Sequence, residues 1–225
     1  MGEAFAALSM KIRPRRYGPW RAIFNAMVVI PLLLGGAEGK EPTRIVALGD
    51  SLTAGYGLAP EEAFPARLSA RLSAMGIDAK IVNAGVSGDT TAGGLARLDW
   101  ALADSPEYVL VELGANDALR GIDPAVVKSN LDAILTRIKE KGAKPLLLGM
   151  VALGNWGREY EDAFNAIYRS LAEKHSVPLY PFFLDGVAQD SRLNQPDGIH
   201  PNAQGVDVIV ERIAPFVARH LKEGA

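Results

Sequence analysis

Cysteine is absent from all 225 residues, which removes disulfides, thiolate catalysis, cysteine-based zinc sites and a lipid-modified cysteine anchor together. Histidine is nearly as scarce, with three in the chain, so metal chemistry built on several imidazole ligands has little to draw on. Charge of one sign is also missing: the formal net charge is -2, and nothing marks a surface for polyanions. No apolar run reaches the roughly 20 residues that a membrane span requires.

The charge that exists is unevenly placed. Residues 1–37 hold Lys11, Arg13, Arg15, Arg16 and Arg21 against Glu3, a net of +4, and taking this from the whole-chain -2 leaves residues 38–225 at -6. An acidic body argues against nucleic acid as a partner. The basic head runs into an apolar stretch, Ala22 to Leu34, and then Gly35-Gly36-Ala37. A positive region, about a dozen apolar residues and small residues at a cut site form a secretory signal pattern. Residues 1–37 are therefore expected to be a signal peptide cleaved after Ala37 or Gly39, with Met10 a second candidate start. An uncleaved anchor is the competing reading. Arg15-Arg16 sits in surroundings unlike a twin-arginine signal, so general secretion to the periplasm or medium is expected.

The remainder is 43–222, one domain, with hydrophobic residues at 48% of the chain to build its core. Strands are expected at 44–49, 79–84, 107–113, 144–150 and 177–180, with helices near 60–75, 91–103, 124–141, 158–175 and 202–222. Asp123, Pro124 and Gly142 supply start and stop signals for the third helix. Regular alternation of this kind implies a parallel sheet covered on both faces, a three-layer α/β/α arrangement.

Strand ends then carry the chemistry. Gly49-Asp50-Ser51-Leu52 follows the first strand, where sites of open α/β sheets gather; an N-cap serine in an ordinary turn is the competing reading. A Gly-rich turn with Gly88 follows the second strand, and Gly114-Ala115-Asn116-Asp117 the third. His175 ends a helix, where a dipole contact is expected, and His220 is expected in solvent on the last helix. By elimination His200 is the candidate general base, with Asp197 three residues earlier to accept its other ring N–H, unless Asp197 merely closes a turn. Serine, aspartate and histidine are the parts of a nucleophilic triad. Thr53 stands where an α/β-hydrolase elbow has its second glycine, so that fold is excluded.

Four blocks in order, Ser51 in Gly-Asp-Ser-Leu, Gly88, Asn116 in Gly-x-Asn-Asp and His200 in Asp-x-x-His, are together similar to the SGNH or GDSL hydrolase family. Segments 49–58, 114–121 and 197–205 resemble its bacterial periplasmic branch of thioesterase I/lysophospholipase L1 enzymes and arylesterases. The resemblance implies a flavodoxin-like five-stranded parallel sheet and a serine esterase acting on small-molecule acyl esters or thioesters through an acyl-enzyme. It implies Ser51, Asp197 and His200 as catalytic residues, and Ser51, Gly88 and Asn116 as the oxyanion site. No cofactor and no metal are implied. Membrane contact is expected only in passing, through the leader or a lipid substrate.

One segment departs from the branch: Val151-Ala152-Leu153-Gly154-Asn155-Trp156-Gly157 lacks its prolines and has Trp156 for a tyrosine, so chain-length preference does not carry over. Short to medium acyl chains are expected. Tyr56, Leu119 and Trp156 are candidates for an apolar pocket and could equally be core; Asp50 and Asp117 are expected to brace loops. An acyl-sugar esterase of the same fold, a metal-dependent phosphoesterase and a non-catalytic binding domain are the alternatives.

Overall fold

Five short apolar runs become five parallel strands in a computed structural model, which describes residues 41–152 and 154–223. The expected leader over 1–37 and Leu153 lie outside the described residues. The strands are β1 (Thr43–Gly49), β2 (Ala79–Gly85), β3 (Tyr108–Glu112), β4 (Lys144–Leu148) and β5 (Leu179–Tyr180). Their order, β2-β1-β3-β4-β5, is that of flavodoxin-like sheets. Ile45 to Leu48 and Val109 to Val111 are almost wholly buried, as strands covered on both faces must be.

Helices α1 (Ser51–Ala54), α2 (Phe64–Ala74), α3 (Thr91–Ala96), α4 (Leu98–Ala101), α5 (Ala115–Leu119), α6 (Pro124–Glu140), α7 (Arg158–His175) and α8 (Ala203–Glu223) complete the described fold. α2 packs with α8, and α6 with α3 and α7. Right-handed crossovers put these two groups on opposite faces of the sheet, giving the three layers expected. α6 begins as its signals dictate, with Asp123 accepting the Ala125 N–H and Pro124 opening the first turn.

Some boundaries differ from the sequence reading, for local reasons. The stretch near 60–75 divides into a 3-10 turn at Pro60–Glu62 and α2, because Ala63, preceding Phe64-Pro65, is extended. The stretch 91–103 breaks at Arg97 into α3 and α4. β5 holds two residues rather than four. α5, read from the sequence as a turn, is a helix of one and a half turns.

Register places the functional loops at one level. Gly49 pairs with Gly85 on one side and with Glu112 on the other, and Glu112 pairs with Leu148. The first strands therefore end in a row, and the strand order switches direction between β1 and β3, leaving a crevice there. Gly49 is glycine for lack of space: a Cβ would lie 2.1 Å from Thr53 Oγ1 and 2.6 Å from Glu112 Oε2.

Candidate active site

Ser51 is the first residue of α1, directly beyond β1. Asp50 caps that helix, its Oδ1 accepting the Leu52 N–H at 2.9 Å. Across the rim, His200 Nε2 lies 2.9 Å from Ser51 Oγ, and His200 Nδ1 lies 2.7 Å from Asp197 Oδ2. Asp197 Oδ1 accepts the backbone N–H groups of Ile199 and His200, both at 3.0 Å. Its carboxyl is held at about 2, chiefly by the His200 ring and then by those backbone donors, so it is an anion at neutral pH. Three residues spanning 149 positions of the chain thus form one hydrogen-bonded line.

The histidine loop is fixed from two sides. Gln195 donates its Nε2 to Tyr56 O at 2.7 Å and to Pro201 O at 3.0 Å, and its N–H bonds His200 O at 2.7 Å. The Tyr56 ring stands 4.5 Å from the imidazole at 35°. Tyr56, expected in the pocket, is a wall behind the histidine instead.

Beside Ser51 opens an apolar cleft lined by Leu52, Ala118, Leu119, Met150, Val151, Trp156, Phe182 and Ile199. Leu119 and Trp156 are thus pocket residues, both substantially exposed at its mouth. Trp156 is fastened by its indole N–H to Ala118 O at 2.8 Å, and its ring lies where a Cβ on Gly121 would go.

Asn116 sits on α5 and lines the same cleft, its Nδ2 donating to Asp50 Oδ2 at 3.0 Å. Gly88 occupies the turn after β2, at φ 85°, and its carbonyl accepts from Arg120 at 2.9 Å. Neither the Ser51 nor the Gly88 N–H has a protein acceptor among the described residues. Asp117 braces α5 against α3, taking the Thr91 N–H at 2.8 Å and its hydroxyl at 2.7 Å. The remaining histidines are elsewhere. His175 Nε2 contacts Asp132 of α6 at 2.6 Å, a hydrogen-bond contact between two helices beyond the dipole effect expected. His220 is half-buried, edge-on to Phe216, rather than free in solvent. Among the described residues no group of three or more His, Cys, Asp or Glu is placed to hold a metal ion.

Two residues around the site were missed from the sequence. Arg97 donates to Gly49 O, Ala84 O and Asp89 Oδ2 at 2.9, 2.7 and 2.6 Å, tying the ends of β1 and β2 to the Gly88 turn; nothing in its local sequence announces this. Glu112 could have been noticed, as a lone carboxyl in an apolar strand. It is 1% exposed, accepts the Thr53 hydroxyl at 2.7 Å, and leaves Oε1 without a partner among the described residues. Burial, and then the neighbouring Asp50, push its carboxyl well above the usual range.

A carboxyl raised on folding binds its proton more tightly in the native state. Its contribution to stability is full below the unfolded pKa, near 4.5 for Glu112, and is lost as pH rises towards the folded one. Glu112→Gln removes that loss. The variant's Tm relative to wild type is expected to be higher at about pH 8 than at about pH 5, by calorimetry. An equal difference at both pH values rules the raised carboxyl out.

The profile of the GDSL-like lipase/acylhydrolase family matches residues 47–208. An arylesterase of Vibrio mimicus is 40% identical over 186 residues, covering 82% of this chain and 93% of that protein. The thioesterase 1/protease 1/lysophospholipase L1 of Escherichia coli (strain K12) is 39% identical over 196 residues, 87% of this chain and 90% of its own. Among solved structures, the SGNH-hydrolase family esterase AlinE4 is 48% identical with a TM-score of 0.68, covering 80% of this chain and 97% of that one.

Proposed function

Since the chain belongs to the GDSL-like lipase/acylhydrolase family and is a serine hydrolase of esters, we propose that Ser51 is its nucleophile, His200 its general base and Asp197 the carboxylate that orients the base. The observation that carries this is the unbroken line Asp197–His200–Ser51, at 2.7 and 2.9 Å. Ser51 Oγ attacks the ester carbonyl while Nε2 takes its proton. The tetrahedral intermediate collapses, and the leaving alcohol or thiol takes that proton from the imidazolium. Water, deprotonated by the same nitrogen, then adds to the acyl carbonyl, and the Oγ–acyl bond breaks as Ser51 takes that proton back and the acid leaves. The oxyanion is received by the Ser51 and Gly88 N–H groups and by an Asn116 amide proton.

The apolar cleft supports acyl esters and thioesters of short to medium chain as substrates, with Leu119 and Trp156 touching the chain. A panel of p-nitrophenyl esters from acetyl to palmitoyl tests this; a rate that climbs to the longest chain overturns it. The domain is 43–222, and residues 1–37, on their sequence pattern, direct export to the periplasm or beyond. Fractionation of cells, with the mass of the exported protein, tests the cut after Ala37 or Gly39.

A fluorophosphonate probe tests the nucleophile directly. It is expected to label wild type at Ser51 and to leave Ser51→Ala unlabelled; no labelling of folded wild type at neutral pH would sink the triad. Removing one oxyanion donor costs roughly 3–4 kcal/mol in the transition state, so Asn116→Ala should lower kcat by about two to three orders of magnitude. KM should change little.

A further inference from the structure

An asparagine side chain presents both an amide and a carbonyl, and it turns over about a single bond. Only its N–H groups can serve an oxyanion; the carbonyl in the same place repels one. Something must therefore hold Asn116 the right way round. In the structure its Nδ2 meets Asp50 Oδ2 at 3.0 Å, using one of two amide protons and leaving the other for the cleft.

Asp50 is itself immobile. It is 0% exposed, its Oδ1 holds the Leu52 N–H, and its own N–H donates to Glu112 Oε2 at 3.4 Å. An ionised carboxyl accepts hydrogen bonds and donates none. A turned-over Asn116 would set its carbonyl oxygen against Asp50 Oδ2, acceptor against acceptor in a buried contact, and leave the carboxylate short of a donor. The geometry points to Asp50 as a positioning residue that keeps the Asn116 amide, rather than its carbonyl, facing the oxyanion. This rests on the reading of Asn116 as an oxyanion donor.

It also accounts for the residue type. Serine, threonine or asparagine would cap α1 as well as aspartate does. Only a carboxylate offers one oxygen to the cap and a second, with no donor beside it, to the asparagine. Burial raises Asp50 to about 6, and the titratable groups facing it are Glu112 on β3, Asp117 on α5 and His200. At the alkaline pH of an esterase assay it is the anion this task needs.

A double-mutant cycle on turnover of p-nitrophenyl butyrate tests the assignment. Asp50→Asn keeps the cap oxygen but sets an amide nitrogen against Asn116; Asp50→Ser keeps a cap and cannot reach. Each should lower kcat about 10- to 100-fold with KM within about twofold. Placed on Asn116→Ala, each should cost no more than about twofold further. If both variants retain wild-type kcat, or if their losses persist in full on Asn116→Ala, the assignment fails. If Asn116→Ala itself retains full kcat, the oxyanion reading falls first, and the two failures are thereby distinct. NMR of the wild type, with the asparagine side chains 15N-labelled, needs no Asp50 variant. One Asn116 amide proton should be shifted downfield and slow to exchange; two equivalent, fast-exchanging protons overturn the proposal.

Discussion

Ser51→Ala is expected to lower kcat for a p-nitrophenyl ester by about six orders of magnitude while leaving the fold and Tm close to wild type. The size follows from what is lost. Without Oγ no acyl-enzyme forms, and the remaining apparatus can only direct water at the carbonyl from a position shaped for a side chain. What survives is binding and the oxyanion donors, worth roughly three to four orders of magnitude over the reaction in water. Stability should hardly move, because among the described residues Ser51 Oγ makes one hydrogen bond, to His200, and α1 is capped by Asp50 rather than by the serine. Adding His200→Ala to Ser51→Ala should cost little further, since base and nucleophile act as a unit and their losses do not add. A steady-state assay, with contaminating esterase excluded by the fluorophosphonate, measures it. Ser51→Ala retaining a hundredth of the wild-type rate would remove Ser51 from the reaction.

Asp197→Asn is expected to lower kcat by roughly three to four orders of magnitude. The carboxylate has two jobs on two oxygens. Oδ2 faces His200 Nδ1 and so keeps the proton there, leaving Nε2 free to accept from Ser51. Oδ1 holds two consecutive backbone N–H groups and so fixes the loop that carries the ring. An asparagine keeps only one oxygen. If it serves the backbone, its amide faces Nδ1 and selects the tautomer with the proton on Nε2, which cannot act as a base. The Asp197 side chain is 38% exposed, so water supplies part of what is lost, and the effect stays below that of Ser51→Ala. Labelling by the fluorophosphonate should slow in parallel, because the same base activates the serine in both reactions. A loss in kcat of less than tenfold would show that Asp197 is only a turn residue.

The sequence and the structure divide the work unevenly. Strand positions were legible because buried parallel strands are near-continuous apolar runs, and α6 because Asp123, Pro124 and Gly142 are local signals. The breaks at Ala63 and Arg97 were not, since the first depends on packing around Phe64-Pro65 and the second on a guanidinium pulled to three partners on other elements. Ser51 and Asn116 could be named as candidates at strand ends, and Asp197 and His200 in the loop before the last helix. Their pairing could not be measured there.

Tyr56 shows the limit. Its neighbour in the chain is the nucleophile helix, its neighbour in space is a ring 144 positions later, and its role changed from pocket to wall accordingly. Glu112 and Asp50 show the same limit for charge. Carboxyls in sequence are ordinary acids; only burial, a property of the whole fold, pushes Asp50 to about 6 and Glu112 well above its usual range. By itself the sequence determined the fold class, because periodicity is local; short motifs carried the likeness to the family and offered the candidate reacting side chains. Which side of Asn116 faces the substrate, what stands behind His200 and how wide the cleft opens were decided by tertiary structure. Those are questions of distance between segments the chain keeps far apart.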